Sequence, residues 1–219
     1  MKTSNSCENH LRMGDNKTGK PLQHYMSAYQ TLDPQEISER CNIEFDNEKQ
    51  TFYIRILGTE HAVTHPEFTM LNHDGKETEN DYEKILVLRY LCEGKFFPSR
   101  GKQLSYREFP WGEIYYRNFE GRCLKRCAFT FGRDIKSFIK LIESNPHLYA
   151  ESLGIGDASY RFEFLNGLYV SVILWQDEEF PPSAQILFDD NFVFAFTAED
   201  LAVTGDILIE RLKGLMPKQ

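Results

Sequence analysis

The residues best placed to do chemistry are acidic. Asp177-Glu178-Glu179 form an unbroken carboxylate run, and Phe180-Pro181-Pro182 follow at once. Two consecutive prolines stiffen a loop, and a stiff charged loop suits a functional surface. Asp157 and the pair Glu199-Asp200 are the other carboxylates that the C-terminal strands can bring to the same corner. Crowded carboxylates repel, and they persist where a cation, a helix N-terminus or arginines compensate. Three readings follow. The corner holds a divalent cation, since hard cations take oxygen ligands. Or it is a pocket whose raised carboxylate pKa suits acid–base work. Or these are solvated turn residues, with Glu199 and Asp200 serving a helix dipole.

Other motifs carry less. Gly14-Asp15-Asn16-Lys17-Thr18-Gly19-Lys20 has the spacing of a phosphate-binding loop. Pro21 stands where a Ser or Thr should hold the metal, and no apolar strand precedes it. His61 and His65 lie on a segment that favours strand, where i and i+4 are ~13 Å apart, too far to share an ion. Cys123 and Cys127 can share a helical face, but a thiolate site needs about four ligands. Gly154-Ile155-Gly156 lacks the third glycine of a dinucleotide fingerprint. We assign no metal and no cofactor from these motifs.

The elements that must position the acidic corner are clearest in the C-terminal third. Ser159–Leu165 and Leu168–Trp175 flank Asn166-Gly167, a type I′ hairpin signal. The second of these strands is apolar on both faces, which predicts a central position. Gln185–Phe188 and Phe192–Phe196 flank Asp189-Asp190-Asn191 as a second predicted hairpin. A closing helix carries Leu201, Leu208, Leu212 and Leu215 on one face, with Thr197 and Asp200 as a capping-box-like pair. In a four-stranded meander of this kind Asp157, Asp177–Glu179 and Glu199-Asp200 gather at one end. Upstream, Thr51–Leu57 alternates and pairs through Gly58 with Glu60–Thr64 as an N-terminal hairpin. Helices are predicted after the Asp33 cap, over Asp81–Cys92 (apolar nearly all round, hence buried), over Glu113–Cys127 and after Asp134, with a strand or extended loop over Gln103–Phe109. The expected fold class is α+β, an antiparallel sheet packed with about five helices. Residues 1–20 read as a flexible leader and 21–219 as a single domain.

Composition bounds the function. A charge of −8 disfavours broad nucleic-acid binding, and the Arg122, Lys125, Arg126 cluster is too small to reverse that. No apolar run approaches the ~20 residues of a membrane helix. Five cysteines, an odd number, without a secretory signal pattern point to reduced thiols and the cytoplasm.

Several stretches together resemble a known family. They are Ile85–Leu91, Gly101–Gly112, the trio Tyr115, Phe119 and Arg122, then Gly156–Ser159, and Leu174–Asp189. They resemble a prokaryotic family known only as a domain of unknown function, found mostly in anaerobes and sometimes beside corrinoid or iron–sulfur genes. The resemblance covers roughly residues 25–215. It implies no reaction, but it implies that Arg107, Glu108, Arg122, Asp157, Trp175, Asp177, Glu179 and Asp189 belong together. In that reading Arg107 and Arg122 neutralise the acidic corner, as an ion network or as a clamp for a carboxylate or phosphate. Asp189 falls at the far end of the predicted meander.

The expected ligand-binding set is therefore Arg107, Arg122, Asp157, Trp175, Asp177, Glu178 and Glu179. A binding module of anaerobic metabolism comes first, its partner a small anionic ligand or another protein. A metal-dependent hydrolase or lyase built on Asp157, Asp177 and Glu179 is the alternative. A structural subunit with an exposed patch around Trp111, Tyr115 and Tyr116 is a third.

Overall fold

The computed structural model describes residues 20–177 and 179–216. The predicted leader, its glycine-rich run and Glu178 lie outside the described residues, except that Lys20 opens the first helix. Helices α1 (Lys20–Tyr29) and α2 (Pro34–Cys41) come first, and the Asp33 carboxylate accepts the Gln35 N–H at 2.8 Å to cap α2. Strands β1 (Phe45–Asp46), β2 (Thr51–Ile56), β3 (Thr59–Thr64) and β4 (Met70–Asn72) follow, then α3 (Asp81–Glu93) and β5 (Gln103–Ser105). A helical stretch runs through α4 (Gly112–Phe119), a π-helical turn (Glu120–Lys125) and α5 (Arg126–Phe131). The chain continues with α6 (Ile135–Glu143), β6 (Glu151–Ser152), β7 (Ala158–Leu165), β8 (Leu168–Trp175), β9 (Ser183–Asp189), α7 (Phe192–Ala195) and α8 (Ala198–Gly214).

The strands form one antiparallel sheet in the order β4-β3-β2-β7-β8-β9-β5, with β1 on β2 and β6 on β7. The fold is α+β, as the sequence predicts. The N-terminal hairpin joins the C-terminal strands at Ile56 opposite Leu165 and through the Leu57 N–H to the Phe164 carbonyl at 3.1 Å. Strand β8 is central, and every residue from Val170 to Leu174 is buried. Helix α8 covers the core with Leu201, Leu208 and Leu212, and Thr197 and Asp200 form the expected capping box.

Three expectations change. Phe192–Phe196 is not a fourth meander strand, because α7 forms there. Asp190 accepts hydrogen bonds from Ser99 Oγ and the Arg100 N–H, and its own N–H donates to the Lys102 carbonyl. This anchors the 99–102 segment so that β5 takes the outer edge of β9, with Gln103 opposite Asp189. The strand read over Gln103–Phe109 ends at Ser105, where a 3-10 turn begins. The helices are also more numerous than expected.

Between them, Phe109-Pro110-Trp111-Gly112 makes a tight turn closed by the Gly112 N–H on the Phe109 carbonyl at 2.9 Å. Trp111 sits at φ 67° and ψ −3°, a left-handed conformation unusual for a bulky residue, with 60% of its surface exposed. Tyr115 and Tyr116 pack against the core, so of that expected patch Trp111 alone is a large exposed hydrophobic.

One buried ionic cluster ties three elements together. Arg211 of α8 donates to both Glu83 oxygens, from Nε at 2.8 Å and from one terminal nitrogen at 2.7 Å. The same terminal nitrogen lies 3.2 Å from His61 Nε2 on β3, and His61 Nδ1 lies 3.0 Å from the Thr59 carbonyl. A carbonyl only accepts, so Nδ1 carries the proton and Nε2 receives the arginine's. Among the described residues, no helix is long and apolar enough to cross a membrane.

Candidate functional site

The β8–β9 connection sits at the end of the sheet where Trp175 lies opposite Ser183 and Ala158 opposite Leu174. The register therefore brings Asp157 and Asp177 to the same end. The Asp157 carboxylate accepts the Gln176 N–H at 2.7 Å, pinning the exit of β8 to the entry of β7. Asp177 Oδ1 accepts the N–H groups of Glu179 at 2.7 Å and Phe180 at 3.1 Å, which fixes the loop from within. Gly156 is required here: a Cβ would stand 2.7 Å from the Leu174 carbonyl and 3.1 Å from Trp175 Nε1, at φ +65°. Helix α5 closes the side, because Gln176 donates to the Arg133 carbonyl at 3.0 Å and Pro182 lies against Gly132.

The described part of this loop is braced by these hydrogen bonds and exposes aromatic surface. Trp175 is 38% exposed, Phe180 68% and Phe129, at the end of α5, 47%. The Arg133 guanidinium lies 5.1 Å from the Phe129 ring centre. Asp157, Asp177 and Glu179 are all exposed at the same end of the sheet. Among the described residues no three His, Cys, Asp or Glu side chains are arranged to hold a metal ion. The three carboxylates are not buried either, so the desolvation that an acid–base pocket uses is missing at this corner.

The remaining members of the expected set are placed elsewhere. Arg107 stacks 3.7 Å from the Tyr116 ring centre and pairs with Glu113 at 3.6 Å, on the turn after β5. Glu108 accepts from the Ser105 N–H and hydroxyl. Arg122 pairs with Asp206 of α8, which also meets Arg126 at 3.3 Å. Asp189 pairs with Arg161 at 2.7 Å at the opposite end of the sheet. Glu199 and Asp200 were expected at the acidic corner. With α7 replacing the fourth strand, Asp200 faces α3 and meets Arg89 at 2.7 Å. The structure thus brings Asp157, Trp175, Asp177 and Glu179 to one end of the sheet, while Arg107 and Arg122 pair with Glu113 and Asp206 instead.

Sequence reading missed Phe129 and Arg89. Phe129 lies just beyond the Glu113–Cys127 stretch read as helix. Arg89 is the one charged residue within Ile85–Leu91, and a charge inside an apolar helix face has to be paired. That signal could have singled it out. The cysteines are poor nucleophile candidates: burial pushes the Cys127 thiol up to about 12 and that of Cys41 up to about 11, the latter against a smaller opposing effect of Arg40.

No curated protein and no solved structure matches the chain. A family model described as Domain of unknown function (DUF3786) matches residues 33–211, from the cap of α2 into the last turn of α8. That span includes the whole sheet and the β8–β9 loop, and the chain belongs to this family of unknown function.

Proposed function

We propose that the chain is a partner-binding module whose β8–β9 end docks a basic, apolar segment of another protein. The observation that carries this reading is that Trp175 and Phe180 on the β8–β9 connection, and Phe129 one turn before the Gly132 that touches Pro182, are all exposed, with Asp157, Asp177 and Glu179 exposed at the same end of the sheet. Interfaces are anchored by a few aromatic residues in a dry centre with polar groups around it. Carboxylates at the rim select partners bearing Lys or Arg and steer their approach. The net charge of −8 supports the same choice of partner and argues against nucleic acid. Four free cysteines among the described residues support a reducing cytoplasmic setting, and the described elements share one core, which supports a single folding unit. The resemblance to proteins of anaerobes favours an accessory role there.

Comparative capture from cells tests this. Proteins held by the wild type should be lost from Trp175→Ala/Phe180→Ala, by about 30-fold for an anchor worth ~2 kcal/mol. Their retention should weaken with salt and persist in Arg107→Ala. A partner set identical for wild type and the double variant would defeat the reading.

A further inference from the structure

At the other end of the sheet, residues 94–102 read Gly-Lys-Phe-Phe-Pro-Ser-Arg-Gly-Lys, with three cations, two phenylalanines and no acid. The segment enters neither helix nor strand before β5. Pro98 and the glycines suit it to that course. Bonds to the fold hold it in place. The Lys95 N–H donates to the Phe194 carbonyl at 2.9 Å, the Asn191 amide to the Phe97 carbonyl at 2.9 Å, and the Arg100 N–H to Asp190 at 3.0 Å. Phe96 packs on the Asn166-Gly167 turn, where a Cβ on Gly167 would stand 2.7 Å from its ring.

What remains outside is a basic, apolar surface. The rings of Phe97 and Phe194 meet with centres 4.5 Å apart, yet both are nearly half exposed, and the neighbouring Val193 is exposed as well. Lys95, Arg100 and Lys102 are exposed along the same segment, and among the described residues Lys95 and Lys102 form no ion pair. The acids of this end are already engaged: Asp190 with Arg100, Asp189 with Arg161, and Glu163 with Arg55. Glu93, at the end of α3, accepts the Tyr25 hydroxyl at 3.4 Å.

Strand β8 runs from this end, at Leu168, to the acidic and aromatic end, at Trp175, a span of ~23 Å. We infer that a second copy of this chain is a partner of the β8–β9 end, with Phe97, Phe194 and the cations of one copy set against Trp175, Phe180 and the carboxylates of the next. This rests on the partner-binding reading and names the partner. The 94–102 segment has the basic, apolar character that the acidic end selects, and opposite charges steer the two ends together. Its bonds to the fold hold it before any contact forms, so little ordering entropy is lost on docking. A copy does not fill its own site, because β8 is paired along its length on both sides and keeps the two ends apart. Two different surfaces meet, so the contact either closes a ring or repeats along a chain of copies.

Sedimentation velocity of the full chain tests the inference. The wild type should self-associate as its concentration rises to about 200 µM, and about 0.5 M salt should weaken that association. Trp175→Ala/Phe180→Ala removes one half of the contact and Phe97→Ala/Phe194→Ala the other, with circular dichroism to check that each variant is folded. Alone, each should associate at least tenfold more weakly. Lys95→Glu/Lys102→Glu, which leaves both rings in place, should do the same. Mixed in equal amounts, the two aromatic variants should form a pair and nothing larger, because each supplies the half that the other lacks. A wild type that stays monomeric, association that survives in the variants, or a mixture that fails to pair would each overturn the inference. Capture of other proteins that still depends on Trp175 and Phe180 would then leave the partner-binding reading standing without it.

Discussion

Arg211 and Arg89 both join α3 to α8, and both lean on a carboxylate that is almost fully buried, Glu83 and Asp200. They differ in how completely they are satisfied. Arg211 has two oxygens of Glu83 in fork geometry and hands a further hydrogen bond to His61. Arg89 has one ion pair, a Tyr25 ring centre at 5.6 Å and an orphaned Nε–H. The same two helices thus carry a closed cluster, whose groups answer one another, and an open one that leaves a donor to spare. Closed clusters specify the packing of a fold, whereas an unpaired buried donor lowers what its cluster contributes to stability.

The largest effect should come from opening the closed cluster. Glu83→Ala leaves the partly buried Arg211 without its carboxylate and should cost about 3 kcal/mol in urea unfolding. Asp200→Ala is milder, about 2 kcal/mol, because it removes a helix cap and one partner of an arginine that is already incompletely paired. If Asp200→Ala proves as damaging as Glu83→Ala, both clusters are structural and the contrast fails.

The smallest effect concerns pH. Burial, reinforced by the Arg211 charge and opposed by Glu83, holds the His61 pKa below its ordinary value of 6.5. The unfolded chain then takes up a proton at higher pH than the folded one. The His61 contribution is therefore full above about pH 6.5 and is lost as the pH falls below it. Wild-type stability should decline from pH 7 towards about 5, and His61→Gln should flatten that slope. Equal slopes would mean that the imidazole and the arginine do not couple.

Much of the frame was legible because local chemistry and tertiary packing agree. Asn166-Gly167 turns β7 into β8, and Thr197 with Asp200 starts α8, each through bonds within a few residues. Phe192–Phe196 misled because its Phe and Val residues favour a strand, while long-range bonds decide it. Asn191 donates to the carbonyls of Phe97 and Gly167, and Asp190 gathers the 99–102 segment. The site was legible in the same proportion. Asp157, Trp175 and Asp177 meet because β7 and β8 are neighbours joined by a short turn. Arg107 and Arg122 lie on segments whose placement depends on β5 taking the edge and on the π turn, neither of which leaves a mark in the local sequence.

The chain has two tryptophans, and both face solvent. Indole emission moves to shorter wavelength as water leaves the ring, so the native protein should already fluoresce near the wavelength of an exposed indole. Unfolding would shift the Trp111 emission little, and most of the red shift in a melting curve would come from Trp175, 38% exposed in the fold. A partner covering Trp175 would instead pull half of the emitters to the blue against that quiet background. The molecule carries its own optical reporter, in which cover over Trp175 moves the emission to the blue and unfolding moves it to the red.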